Sequence, residues 1–194
     1  METITLASGS ANRGALLEQV KIPFRVIVSE IDEQTRSSES IEERVKRLAV
    51  EKVVTVAEQL KERDRQWVVG FDTLIKVEDR IIGKPGNREE AREILMTLSG
   101  RIHRIITAVA LLPSPEEGVA VDLCSTSVTF KSMKDDEIDY YLKTGEWQHA
   151  AGAYRIQSRG AFFVESLDGS YSNVVGLPLS LLYGMLRRAG YLFS

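Results

Sequence analysis

Lys52 is the first residue whose type does not suit its place. The run Ile41–Leu60 carries apolar side chains at Ile41, Val45, Leu48, Ala49, Val53, Val56 and Leu60, and Lys52 falls between Leu48 and Val56 inside that stripe. Either its stem packs and its ammonium reaches back to water, or the helix points a cation into a cleft that holds an anion. Asp72 is the second. It follows Trp67-Val68-Val69-Gly70-Phe71, so a carboxylate emerges at the end of a buried strand, where it needs a partner, a metal or an altered pKa. A turn at Glu78-Asp79 sets Thr73 opposite Lys84 and makes Asp72 and Lys84 neighbours on adjacent strands. That pairing reads as a structural ion pair or as a carboxylate and a cation aimed at one phosphate.

A third group lies near the start. A short strand, the turn Ser8-Gly9-Ser10 and a helix with Arg13 in its first turn offer backbone amides, hydroxyls and a guanidinium at the positive end of a helix dipole. This is a phosphate cradle or merely a turn; it is not a Walker loop, because no Gly-Lys-Ser/Thr follows. Glu30, Asp32 and Glu33 form an acidic loop that is solvated surface or, beside phosphate-binding cations, a set of hard oxygen ligands for Mg²⁺ or Mn²⁺. His103 and Thr107 share one strand face. With no histidine partner nearby, His103 reads as a hydrogen-bonded structural residue rather than a metal ligand.

The elements that must position these groups follow from periodicity and punctuation. Strands are expected at Thr3–Ala7, Phe24–Ser29, Trp67–Val77, Arg80–Lys84, Arg101–Leu112, Val119–Phe130 and Ala161–Ser166. Helices are expected from about Asn12 to Val20, over Ile41–Leu60 with a Ser40/Glu43 capping box, and from Asn87 to Gly100. Two more are expected from Ser132 and Asp135 to Gly145, and from Pro178 to Gly190. A loop from Glu146 to Gly160 carries no periodicity. Helices alternating with strands, with hairpins mixed in, predict an α/β protein with a mixed sheet flanked by helices.

Composition narrows the chemistry. The 194 residues form a single expected domain, and 43% hydrophobic with 27% charged residues is enough to bury a core. Lys and Arg number 25 against 28 Asp and Glu, so there is no general basic field for nucleic acid, and bound anions must be held by a few local cations. One cysteine, Cys124, excludes an internal disulfide, and two histidines are too few for most zinc cages. The N-terminus lacks the layout of a signal peptide and no apolar run approaches a membrane span, so the expectation is a soluble protein of the cytoplasm.

At this point the motifs form a pattern. The chain resembles the Maf family of nucleoside triphosphate pyrophosphatases across nearly its whole length. The resemblance is carried by LASGSANR at Leu6–Arg13, IDE at Ile31–Glu33, Lys52, GFDT at Gly70–Thr73, GKP at Gly83–Pro85 and LSGRIH at Leu98–His103. It continues with VTF at Val128–Phe130, AGAYRIQ at Ala151–Gln157 and GSYSNVVGLPL at Gly169–Leu179. What it implies is an elongated, inosine-triphosphatase-like mixed α/β fold with two lobes around a central cleft, usually dimeric. The implied activity is a house-cleaning cut between the α- and β-phosphates with a divalent metal. The intact Ile156-Gln157 pair resembles the branch acting on dTTP and UTP.

The same resemblance implies roles for single residues. Asp72 corresponds to the proton acceptor, and Thr73 and Gln157 to positions that set base preference. Arg13, Lys52 and Lys84, with the Ser8 and Ser10 turn, would hold phosphates, and Glu33 with Asp72 would hold the metal. The chain departs from the family pattern at Asn12, where the first of two arginines usually stands and bears on substrate choice, and at His149-Ala150, where Asp-Lys is usual. Arg155 and Ser158 replace glycines. The family's name comes from inhibition of septum formation, which keeps a binding role in cell division as a second reading. A pyrophosphatase with shifted base preference is a third.

Overall fold

The computed structural model describes residues 1–36, 38–61 and 67–193. Seven strands form one mixed sheet in the order β2-β1-β3-β5-β6-β7, with β4 paired to β3. The chain divides into two compact units. The first comprises Met1–Thr73, Thr107–Cys124 and Gly176–Ser194; the second comprises Leu74–Ile106 and Ser125–Val175.

In the first unit, β1 (Ile4–Ala7) lies parallel between β2 (Phe24–Val26) and the start of β3 (Val68–Val77). Its four residues are all buried, as expected of a central parallel strand covered on both faces. The helix α1 (Ala11–Gln19) follows the turn after β1, and α2 (Ile41–Gln59) packs on β1 and buries Val45, Leu48, Ala49, Val53 and Val56. The Ser40/Glu43 capping box is formed: Ser40 Oγ accepts from the Glu43 amide at 3.2 Å and Glu43 Oε2 accepts from the Ser40 amide at 2.8 Å. The helix α6 (Leu179–Arg188) starts behind Pro178.

In the second unit, the end of β3 turns back as β4 (Arg80–Ile82), with Val77 opposite Arg80 and Ile75 opposite Ile82. This is the expected register, but the ladder stops at Ile82, two residues short of Lys84. The helix α3 (Arg88–Leu98), capped by Asn87, packs on α4 (Asp135–Lys143). Arg92 spans the pair to Asp135 and Asp139. The core gathers Ile75, Leu95, Leu98, Ile105, Phe130, Tyr141, Tyr154 and Phe163. The strands β5 (Ile102–Leu112) and β6 (Ala120–Phe130) each contribute residues to both units, and β7 (Val164–Asp168) pairs antiparallel with β6.

Three expectations need correction. The strand expected at Ala161–Ser166 begins only at Val164, because residues 159–163 form a 3-10 turn. Gly160 there sits so close to Arg155 that a Cβ would lie 2.6 Å from its carbonyl oxygen, so the turn needs glycine at this point. The strand expected to reach Ser29 ends at Val26. A short helix, α5 (Tyr171–Val175), was not expected, since five residues are too few to show a period. No helix among the described residues is long and apolar enough to cross a membrane.

Candidate active site

Gly70 explains how a lysine in an apolar helical stripe meets a carboxylate on a buried strand. A Cβ at Gly70 would lie 2.7 Å from the Ala49 carbonyl oxygen and 2.7 Å from Val53 Cγ2, so only glycine lets β3 run this close beneath α2. Side chains two apart on a strand share a face, so Asp72 points to the same side. There Lys52 Nζ donates to Asp72 Oδ1 at 2.7 Å and to Glu33 Oε1 at 2.8 Å. Lys52 and Asp72 are only 8% and 7% exposed. A buried ammonium of this kind needs charge partners, and it has two carboxylates.

The opposite face of β3 serves α1. Arg13 donates from its two terminal nitrogens to Ser8 Oγ at 2.8 Å and Thr73 Oγ1 at 3.1 Å, and from Nε to the Gly176 carbonyl at 2.8 Å. Its guanidinium carbon lies 5.5 Å from the Phe71 ring centroid. Thr73 Oγ1 in turn pairs with Thr107 Oγ1 at 3.0 Å. Burial pushes the Arg13 guanidinium down to about 10, opposed by the charges of Asp72 and Glu33, so it remains a cation at neutral pH. Ser8 Oγ also accepts from the Ser10 amide at 3.3 Å, which holds the turn before α1. Ser10 caps α1 without a side-chain bond, and Asn12 is half-buried in the first helical turn.

Glu33 is held by a device that patterning did not reveal. Arg44 and Arg47 of α2 donate to the backbone carbonyls of Glu33 and Gln34, each at 3.1 Å. Arg47 is itself locked to Glu39 through two bonds of 2.6 and 2.9 Å. In sequence these arginines are part of the charged helix surface, and a side chain bonded to a carbonyl leaves no mark in residue type.

Of the expected site residues, the first unit holds two bonded groups, Glu33, Lys52 and Asp72 in one and Ser8, Ser10, Arg13 and Thr73 in the other. Lys84 and Gln157 belong to the second unit, and both are exposed. There the Gly152 amide donates to the Gly83 carbonyl at 3.0 Å, tying the Lys84 turn to the segment that carries Gln157. Gly152 takes φ of +71° with Ile75 Cδ1 2.7 Å from where its Cβ would be, so glycine is required on both counts. His103 lies in this unit's core, with Nε2 2.9 Å from Tyr154 OH, as a structural histidine should.

No cluster of three His, Cys, Asp or Glu suited to a metal occurs among the described residues. Two converging carboxylates, Glu33 and Asp72, are the hard oxygen donors on offer. Mg²⁺ is commonly held by one or two carboxylates with the remaining positions left to water and substrate phosphates, so this donor set fits such an ion.

Residues 3–189 match the family described as "Maf-like protein". The chain belongs to the Maf family. Similar relatives include the dTTP/UTP pyrophosphatase of Caldicellulosiruptor bescii, 42% identical over 192 residues, covering 98% of this chain and 96% of that one. The dTTP/UTP pyrophosphatase of Bacillus cereus is 40% identical over 188 residues, covering 97% and 96%. Among solved structures, the Staphylococcus aureus Ham1 protein aligns over 83% of this chain and 97% of its own, with 13% identity and a TM-score of 0.41.

Proposed function

We propose that this Maf protein hydrolyses nucleoside triphosphates, dTTP and UTP foremost, to the nucleoside monophosphate and pyrophosphate. The observation that carries this reading is the meeting of Lys52 with Asp72 and Glu33 in the unit that also holds Arg13. Supporting it are the full-length relatives named for dTTP and UTP. A homodimer, a cytoplasmic setting and use of Mg²⁺ or Mn²⁺ belong to the same proposal.

A triphosphate carries up to about four negative charges, and pyrophosphate leaves readily only when they are neutralised. Lys52 has given two of its N–H bonds to carboxylates and keeps one for a phosphate oxygen. Arg13 likewise keeps N–H groups beyond the three it has placed, fixed in direction by those three. Lys84 is assigned a further phosphate oxygen. Asp72 takes the proton from the attacking water at its carboxylate oxygen, while Lys52 limits that carboxylate to one orientation. A divalent cation held by Glu33 and Asp72 would polarise the phosphoryl oxygen and offset its charge. Gln157 is assigned the base edge, which its amide suits by offering both donors and acceptors. Thr73 acts on that choice through Arg13, since its hydroxyl is already engaged there.

The test is pyrophosphate release from a panel of ribo- and deoxyribonucleoside triphosphates with Mg²⁺ or Mn²⁺. Turnover highest with dTTP and UTP is expected. Turnover highest with a purine or modified base would redirect the specificity. No turnover of any member, with nucleotide still bound, would favour a binding role in cell division.

A further inference from the structure

Gln157 makes no side-chain hydrogen bond among the described residues and is exposed, yet almost every residue around it is tied down. The ties converge on Glu146. Its carbonyl accepts from Arg155 Nε at 2.9 Å. Its Oε1 accepts from Ser158 Oγ at 2.9 Å and from an Arg159 terminal nitrogen at 2.9 Å, and its Oε2 accepts from the Arg159 amide at 3.1 Å. Arg155 is further fixed from its side chain to the Gln148 carbonyl at 2.9 Å, and its amide donates to Tyr141 OH at 3.1 Å. The loop also closes on itself: the Ser158 amide donates to the Arg155 carbonyl at 3.2 Å, and Gly160 packs directly on the Arg155 backbone.

The Glu146 side chain is 14% exposed and that of its ion-pair partner Arg159 is 50% exposed. An ion pair alone in that setting contributes little. What is unusual is the geometry. One residue binds the loop on both sides of Gln157, through its main chain before it and its carboxylate after it. A neutral amide that reads a base needs a fixed position more than it needs charge, because each misplaced hydrogen bond loses its discrimination. Arg155 spends its guanidinium on two carbonyls, which makes it a clamp within the loop rather than a cation for the substrate.

We propose that Glu146 is the positioning residue for base selection: it holds the 155–160 loop in one conformation so that Gln157 presents its amide to the base without paying to order it. The proposal rests on the pyrophosphatase reading and on Gln157 meeting the base. The experiment compares wild type with Glu146→Ala and the milder Ser158→Ala in two measurements. Hydrogen exchange of the 155–160 segment in the nucleotide-free protein reads the clamp. The kcat/KM values for UTP, dTTP and two purine triphosphates read the selectivity.

Exchange in that segment is expected to rise in Glu146→Ala. The kcat/KM for UTP and dTTP is expected to fall about tenfold, chiefly through KM, with the purine values little changed. Ser158→Ala removes only one tie and gives a smaller shift of the same sign, and it keeps the question answerable should Glu146→Ala fold poorly. Faster exchange with unchanged base preference would overturn the proposal, as would unchanged exchange. A wild type that turns over no triphosphate would bring down the pyrophosphatase reading and this proposal with it, an outcome distinct from a selective wild type whose variants stay selective.

Discussion

The neighbourhoods of Lys52 and Gln157 are organised on opposite principles. Around Lys52 the functional groups are bonded to one another, with Lys52 and Asp72 buried and Glu33 reaching them from an exposed loop. Lys52 holds two carboxylates, and Arg13 holds two hydroxyls and a carbonyl. Around Gln157 the functional side chain is exposed and unengaged, and the bonding falls to its neighbours and their backbone. The difference follows from charge. A buried ammonium or carboxylate without a counter-charge costs several kcal/mol, so ionic groups that must work away from water neutralise each other until substrate arrives. A neutral amide carries no such cost and can wait in solvent, provided the chain beneath it is fixed. In one region the groups assigned to the reaction bond to each other, with Arg44 and Arg47 fixing the Glu33 loop behind them; in the other the bonding falls wholly to neighbours.

The largest effect expected from this contrast is on turnover. Asp72→Asn keeps a hydrogen-bond acceptor for Lys52 but removes the proton acceptor, and should lower kcat by about 1000-fold with the circular dichroism spectrum unchanged. Pyrophosphate release under saturating substrate checks it; activity within a few-fold of wild type would remove Asp72 from the role. Gln157→Ala, at the exposed amide, should instead leave kcat for non-preferred bases nearly intact.

The next effect separates the two regions by stability. Lys52→Met leaves Asp72 buried without its cation and beside Glu33. Removing one partner of a buried pair costs about 3–5 kcal/mol, read as a shift in the urea midpoint. The Lys52→Met/Asp72→Asn double variant should recover much of that loss, because the remaining polar group is neutral. A double variant no more stable than Lys52→Met would show that packing of the lysine stem, not charge, sets the cost.

These contrasts bear on what was legible beforehand. Lys52 stood out because a cation inside an apolar stripe breaks a pattern that runs through Val45, Leu48, Val53 and Val56. Asp72 stood out because a carboxylate after Val68-Val69-Gly70-Phe71 breaks another. The hairpin register followed from turn residues at Glu78-Asp79, and Ile75 does face Ile82. Legibility failed where contacts go to carbonyls or where space decides. Arg44 and Arg47 hold a loop through backbone carbonyls, which any residue type supplies, and Glu146 holds another partly through its own carbonyl and the Arg159 amide. The 3-10 turn at residues 159–163 has a strand-like run of Ala-Phe-Phe, and the close approach of Gly160 to Arg155 and the bonds to Glu146 leave no mark in that pattern.

A third way of burying an ionisable group distinguishes the second unit's core and gives the smallest of the expected effects. His103 is 1% exposed, packed edge-on against Phe130 and Tyr154, and its Nδ1 has no partner among the described residues. Where Lys52 is paired with two carboxylates, His103 has no charge partner among the described residues, and burial pushes it down to about 4 from 6.5. Above pH 6.5 neither the folded nor the unfolded chain protonates this group, and its contribution to stability is whole. As pH falls from 6.5 to about 4, the unfolded chain takes up a proton that the folded one refuses, and stability drops by roughly 3 kcal/mol. Urea unfolding at pH 7 and at pH 4 measures the loss in wild type and in His103→Gln, which does not titrate there. The loss of stability between the two pH values should be smaller in the variant by about that amount. Equal losses would mean that His103 gains a proton in the folded core, and that its burial is managed by charge after all, as at Lys52.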